Sequence, residues 1–414
     1  MSVALAPRLL LAPSHPSGSW RTELLVRTLR SAASQVTRGQ ASDVRARLEG
    51  LARFAPPPAS VRRRRARLGA RRAVWTVPTR RASSDQVFLH VHGGGYALCS
   101  LKTHQGMIAD LARHGGRPVL AFEYRKAPEH PFPRPIDDVV DAYRHLLAKG
   151  VDPSRIVLSG DSAGGGLILA ATQRLRATQE PLPRALVLFS PWVDLRLQGA
   201  SIDDNARHDY LARPLLERFR DLYLQGADPR CPEASPALAD FTGFPPMLVQ
   251  VGGAEVLRSE IEGFAARARS HGVKLDLEVH EGMIHAWHGF GAILPEAHTA
   301  FRRCVASSTA SDTRTLLRRF VDGLPIRACA RARARLRRER VCGTARDSPS
   351  TPPVNSTVEV EAHQENAHGF VGPSAGTGRV LCRPHARAAL VLAFLALTTP
   401  ALADTGEAGV CRGA

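Results

Sequence analysis

Cysteine is scarce where a fold would use it: of seven in 414 residues, only Cys99 and Cys231 precede residue 300. No pair has CxxC or metal-like spacing, so neither a disulfide framework nor a zinc site is expected. Long apolar runs are missing too. The short run at 9–12, between Arg8 and Pro13, falls short of a secretory apolar region, and no stretch is long enough to span a bilayer. These absences lead us to expect a soluble, cytoplasmic protein with no metal and no membrane partner. Acidic residues are outnumbered, 38 Asp and Glu against 56 Lys and Arg, for a net charge of +18. Such an excess raises nucleic acid or an anionic membrane as partners. The charge sits in Arg tracts such as 62–65 and 331–340, however, and no RNA-recognition, zinc-finger or helix-turn-helix pattern accompanies it. Composition bias is the simpler reading, and no nucleic-acid partner is expected.

What is present is an ordinary apolar fraction of 44%, enough for a sizeable core. Residues 1–39 are rich in Arg, Ser, Leu and Pro with no sustained period, which predicts an irregular N-terminal extension. A short helix is expected at 42–53, followed by a Pro-interrupted basic stretch that ends in a turn at 82–85. From 86 to about 303, brief apolar strands (87–91, 118–122, 156–158, 185–189, 247–251, 275–279) alternate with helical spacing (106–113, 137–148, 167–177, 215–224, 260–270). That alternation predicts an α/β fold with a mainly parallel sheet and helices on both faces, over a domain of 40–303. Beyond it, 304–414 turns to Arg/Ala repeats and a Ser/Thr/Pro-rich run, a composition expected to give a basic tail of low order. The segment 386–403 has the form of a signal peptide in a position where none can work, which suggests reading-frame run-on.

Two motifs carry chemistry. Gly160-Asp161-Ser162-Ala163-Gly164 follows a strand and precedes a helix, so Ser162 stands at the apex of a tight, strained turn. Alone it is weak, since GxSxG should arise by chance in roughly one such chain in five. His92-Gly93-Gly94-Gly95 also follows a strand, and its successive glycines expose N–H groups that can meet a developing alkoxide. Chance would give it in about one such chain in a hundred, and the two together, in this order, make coincidence improbable. A Ser nucleophile needs a base, and the base an acid to fix its tautomer. Glu255 and His285 each follow a later strand, in the order this fold requires.

On the segments HVHGGGYALCS (90–100), EYRKAPEHPFP (123–133), LSGDSAGGG (158–166), SPWVDL (190–195), PPMLVQVGGAEVL (245–257) and HEGMIHAWHGF (280–290) the chain resembles the hormone-sensitive-lipase-like bacterial esterases of the α/β-hydrolase superfamily. The resemblance implies Ser162 as nucleophile, Glu255 as acid and His285 as base. It implies Gly93, Gly94 and the backbone of Ala163 as oxyanion donors. It further implies a helical cap, built from the N-terminal segment and the region around 200–230, that favours short or medium acyl esters. The chain departs from the pattern at Glu255, where many relatives have Asp, and at Arg258-Ser259-Glu260, which makes Glu260 a rival acid. Cys99 stands where Gly is usual, and Lys126 where an apolar residue is common.

Other candidates read as supports. His280 and His288 are expected to be structural, His90 packed within its strand, and Asp161 a brace for the turn. Glu129 and His130 are read as supporting, Asp194 as a less favoured acid, and Cys99 and Cys231 as inert thiols. The expected function is a serine carboxylester hydrolase working through an acyl-enzyme without metal or cofactor, on a small-molecule ester, lactone or acetylated compound. A homodimer is left open. Two alternatives stand beside it: a non-catalytic small-molecule-binding protein on the same fold, and nucleic-acid binding through the basic tail.

Overall fold

The computed structural model describes residues 13–54, 57–80 and 85–304; the expectation for the tail lies, from residue 305 on, outside the described residues. Eight strands form one sheet: β1 (Val61–Leu68), β2 (Arg71–Pro78), β3 (Val87–Val91), β4 (Val119–Phe122), β5 (Ile156–Asp161), β6 (Ala185–Phe189), β7 (Met247–Gly252) and β8 (Leu275–His280). Their order is β1-β2-β4-β3-β5-β6-β7-β8. The hairpin β1–β2 joins β4 antiparallel, and every pair from β4 to β8 is parallel. Among the described residues the helices of eight residues or more are α1 (Trp20–Arg38), α2 (Ala41–Ala52), α3 (Gln105–His114), α4 (Arg134–Ala148), α5 (Ala163–Ala177), α6 (Arg213–Leu224), α7 (Arg258–Ser270) and α8 (Glu296–Arg303).

Every residue of β4 and β5 is buried, which is why 119–122 and 156–158 read as unbroken apolar runs and not as alternation. Phe88, Val119, Ala121, Val157, Val187 and Phe189 share one core cluster with residues of α3 and α8. Strand side chains alternate between faces, so Leu89, Leu120, Leu158 and Leu188, almost wholly shielded from solvent, need cover on the other side. There α4 and α5 pack on one another, and α5 packs on β5. The chain is therefore an α/β protein with helices on both faces of a mostly parallel sheet.

Two expectations need correction. The first concerns 1–39, where α1 occupies half of the segment expected to be irregular. Leu25, Val26, Leu29 and Ala32 are buried, a helical stripe that intervening Arg and Ser residues conceal. Ser19 Oγ accepts from the Thr22 N–H at 3.2 Å and caps the helix. Leu25, Val26 and Leu29 join the core cluster of Met283, Ile284 and Trp287, so this segment is part of the domain. The second correction is the basic stretch after 60, which is the hairpin β1–β2. Its two-residue loop puts Gly69 at φ 57°, between the paired Leu68 and Arg71, a left-handed position suited to glycine. The tract 62–65 lies on the sheet edge, with Arg63 Nη1 donating to Gln105 Oε1 at 3.0 Å. Arginine stems cover apolar surface while their heads reach water, and a charged edge resists pairing with another chain.

Candidate active site

Ser162 is the single residue between β5 and α5, at φ 52° and ψ −123°. A side chain there costs about 1–3 kcal/mol, and the surroundings enforce it. The Ser162 N–H donates to the Phe189 carbonyl and its own carbonyl accepts from Trp192 N–H, both at 2.9 Å. A Cβ on Gly164 would strike the Val91 carbonyl, so only glycine lets the turn sit this close to β3.

His285 lies on the loop after β8 with Nε2 2.9 Å from Ser162 Oγ. Its Nδ1 faces Glu255 Oε1 at 3.5 Å. Both atoms are buried, and neither has a hydrogen-bond partner within ordinary reach among the described residues, so each has only the other to face. Glu255, on the loop after β7, is fully buried. Its Oε2 accepts from Ser190 Oγ at 2.6 Å and from the Gly252 N–H at 2.8 Å, and these contacts aim the second oxygen at the imidazole. Burial opposes a charge on His285, but the carboxylates of Glu255, Asp209 and Asp161 outweigh it and hold the pKa above the usual imidazole value.

The glycine loop after β3 departs from expectation at Gly93. Its N–H donates to Asp161 Oδ1 at 3.1 Å and is thereby turned away from oxyanion binding. The N–H groups of Gly94, Gly95 and Ala163 donate to no group among the described residues. Asp161 is the expected brace: it also meets His104 Nε2 at 3.3 Å and His90 Nε2 at 3.5 Å. Burial works against its charge, yet the two imidazoles hold its carboxyl well below the usual range. His92 donates from Nδ1 to the Gly93 carbonyl at 2.8 Å and stacks on Tyr124. Burial pushes its pKa down to about 4, so it holds the loop as a neutral ring.

The rival groups lie elsewhere. Glu260 accepts from the Gly199 N–H at 3.2 Å and makes no contact with His285. Asp194 is forked by Arg196. His288 is wedged between Trp287 and Phe189, with Nε2 3.0 Å from Gln250 Oε1, and His280 sits beside Glu278. Glu129 pairs with Arg45, whose guanidinium also donates to the Ala97 and Ala127 carbonyls near the glycine loop; the His130 N–H donates to the Lys126 carbonyl. Cys99 is half-buried, and desolvation aided by Asp161 pushes its thiol up to about 12, which removes its nucleophilicity. Among the described residues, one group has ligand atoms close enough to suggest a metal: Asp110, His114 and His298, on α3 and α8. There the Arg113 guanidinium donates to His114 Nε2 at 3.0 Å, so a cation beside a ligand's lone pair disfavours a metal.

Sequence reasoning missed two participants. Ser190, at φ 45°, donates to Glu255 and accepts from the Ala286 N–H at 3.1 Å. Asp209, buried beneath the 205–210 turn, accepts from the N–H groups of His285 and Val256. No spacing rule identifies either, because each acts across strands far apart in sequence.

A hydroxyl at a strand–helix elbow, an imidazole on it and a buried carboxylate behind the ring, on this sheet, define an α/β hydrolase. The model for the alpha/beta hydrolase fold matches residues 88–289. An acetyl-hydrolase of Streptomyces hygroscopicus is 44% identical over 229 residues, 55% of this chain and 76% of that protein. An esterase of Acinetobacter venetianus is 37% identical over 233 residues, 56% and 77% of the two chains. Among solved structures, an esterase from the bacterial hormone-sensitive lipase family aligns with a TM-score of 0.66 at 42% identity, over 70% of this chain and 97% of that one. The chain belongs to this family of hydrolases. Among the described residues no helix is long and apolar enough to cross a membrane.

Proposed function

We propose that the chain hydrolyses carboxylic esters of short or medium acyl length through an acyl-enzyme on Ser162. The observation that carries this reading is the 2.9 Å contact between Ser162 Oγ and His285 Nε2 at a strained elbow. Ser162 Oγ attacks the ester carbonyl as His285 Nε2 takes its proton, forming the new C–O bond. Glu255 keeps the Nδ1–H tautomer and balances the imidazolium. The Gly94, Gly95 and Ala163 N–H groups, free of other partners among the described residues, receive the oxyanion, each worth about 3 kcal/mol. His285 returns the proton to the leaving alcohol as its C–O bond breaks, and water then repeats the sequence on the acyl-enzyme.

Acyl length follows from what covers the glycine loop. A Cβ on Gly95 would collide with the Phe219 ring of α6, and Tyr96 stacks on Tyr223 of the same helix at 3.9 Å. These rings pack directly on the glycine loop, and such a cover favours a short acyl chain. The acetyl-hydrolase name of one relative agrees with a small acyl group. Lactones and acetylated small molecules fit the same chemistry. The test is a panel of aryl esters graded by acyl length, with Ser162→Ala as control. Butyrate-length esters should outrun palmitate-length esters, and folded Ser162→Ala should be inert. Activity in that variant would sink the nucleophile assignment, and a long-chain preference would sink the acyl assignment. Failure of a fluorophosphonate to label Ser162 would favour a binding protein instead.

A further inference from the structure

Asp209 is a buried carboxylate that no triad role explains. It lies in the turn before α6 and is fully shielded from solvent. Its Oδ1 accepts from the Tyr210 N–H at 2.7 Å and from the His285 N–H at 3.2 Å. Its Oδ2 accepts from the Val256 N–H at 3.0 Å. One side chain thus ties the residue after Glu255 to the backbone of His285, across two loops that follow different strands. Its own carbonyl is held from the other side by Arg30 Nε of α1 at 2.8 Å. No cation pairs with the carboxylate among the described residues. Burial, reinforced by Glu255 and opposed by His285, pushes it up to about 6. A group that served packing alone would be better replaced by a neutral one, since an unpaired buried charge is costly.

We propose that Asp209 is a positioning residue that clamps the Glu255 loop to the His285 loop and, as an anion beside the imidazole, stabilises the imidazolium formed during acyl transfer. This rests on the proposed Ser162 mechanism. The charged and titratable groups around it are His285, Glu255, Tyr210, Asp161, His208 and the Arg30 guanidinium. Asp209→Asn keeps the shape, but it removes the charge and sets an amide N–H2 against one backbone N–H. A small misplacement of the reacting groups costs on the order of 10²-fold in rate, so kcat should fall roughly tenfold to a hundredfold with KM little changed. Losing the anion lowers the His285 pKa, so the acid limb of kcat/KM should move to lower pH.

Steady-state kinetics of the full chain between pH 5 and 9, for both proteins on one short aryl ester, provide the test. A kcat within about twofold of wild type would overturn the proposal. So would a lower kcat with an unmoved acid limb, because a purely structural clamp gives that result. If Asp209→Asn does not fold, amide exchange in the wild-type chain decides: the Val256 and His285 N–H groups should be protected, and loop-like exchange overturns the clamp. Fluorophosphonate labelling of wild-type Ser162 tests the underlying mechanism separately, so the two failures are distinguishable.

Discussion

Exchanging Glu255 for Gln is the sharpest test of how the site divides labour among its carboxylates. In the native site Oε2 takes the Ser190 hydroxyl and the Gly252 N–H, leaving Oε1 for His285 Nδ1 at 3.5 Å. A Gln side chain keeps those two donors only through its carbonyl oxygen, which places its N–H2 opposite Nδ1. Two donors cannot face each other, so the imidazole shifts its proton to Nε2 and can no longer take one from Ser162. A wrong tautomer costs about 10⁴ in kcat in a comparable triad. The lost charge gives a similar figure: at 3.5 Å and an effective dielectric constant of about 20, the pair is worth about 5 kcal/mol, or roughly three and a half decades of rate. Glu260→Gln makes the contrast. Burial and the nearby Asp194 raise Glu260 to about 8, so it is mostly protonated at pH 7 and an amide replaces it almost isosterically. Its kcat should stay within about twofold of wild type. The assay is kcat on a short aryl ester at pH 7, with circular dichroism as a folding control. Glu260→Gln as the slower variant, or Glu255→Gln with more than about a tenth of wild-type kcat, would refute the assignment.

The same Glu260 predicts a stability effect. Its folded pKa of about 8 lies above the 4.5 of a free side chain, so the folded state holds a proton that the unfolded chain has released. Stability should fall as pH rises through that window, by about 1.4 kcal/mol per pH unit at most. Urea unfolding from pH 5 to 8.5 should show Glu260→Gln gaining a few kcal/mol on wild type toward alkaline pH, and parallel curves would contradict it. Gly93→Ala should lower kcat by about 10², because a Cβ there strikes the Asp161 carboxylate and approaches Ser162 Cβ to 3.1 Å, which displaces the reacting groups; unchanged turnover would show the loop free to shift. Truncation after Ala306 should leave kcat/KM unchanged. Truncation after Thr299 should cost about 3–5 kcal/mol, because it removes Phe301, which is buried against Phe189 and His288. Equal stability of the two truncations would speak against α8 as the closing element.

The legible parts of the sequence were those in which one local rule dominates. β3 to β7 are buried on both faces, so their apolar runs announce strands without further help. Ser162 and the glycine loop follow strands directly, and their turns admit few residue types. The hairpin β1–β2 stayed hidden because four consecutive arginines erase the period of two, although the strand needs it only on one side. α1 stayed hidden because Arg27, Thr28, Arg30 and Ser31 fall between its buried apolar positions. Within the site, the positions of Glu255 and His285, each on a loop after a later strand, were readable from order along the chain. The direction of a backbone N–H was not. Whether Gly93 or Gly95 faces the oxyanion depends on where Asp161 points, and that is set by His90 and His104 from other elements.

Backbone strain follows the same division. Among the described residues, eight other than glycine have positive φ, and Tyr96, Cys99, Ser162, Ser190 and Ala286 all belong to the loops around Ser162. Each carries a cost of about 1–3 kcal/mol that nothing local repays. The bonds that hold them are cross-strand: Ser190 N–H to the Gln250 carbonyl at 2.7 Å, Ser162 N–H to the Phe189 carbonyl, and Ala286 N–H to Ser190 Oγ. Ser162 and Ser190 are thus each fixed by a residue on the next strand of the buried parallel sheet, and Ala286 by Ser190 in turn. The core therefore does more than stabilise the domain, since its rigidity keeps the nucleophile's turn, the acid's support and the base's loop in conformations that none would adopt alone. Softening the sheet beneath Ser190 would relax all three together, which couples the site's geometry to packing several residues away from any reacting atom.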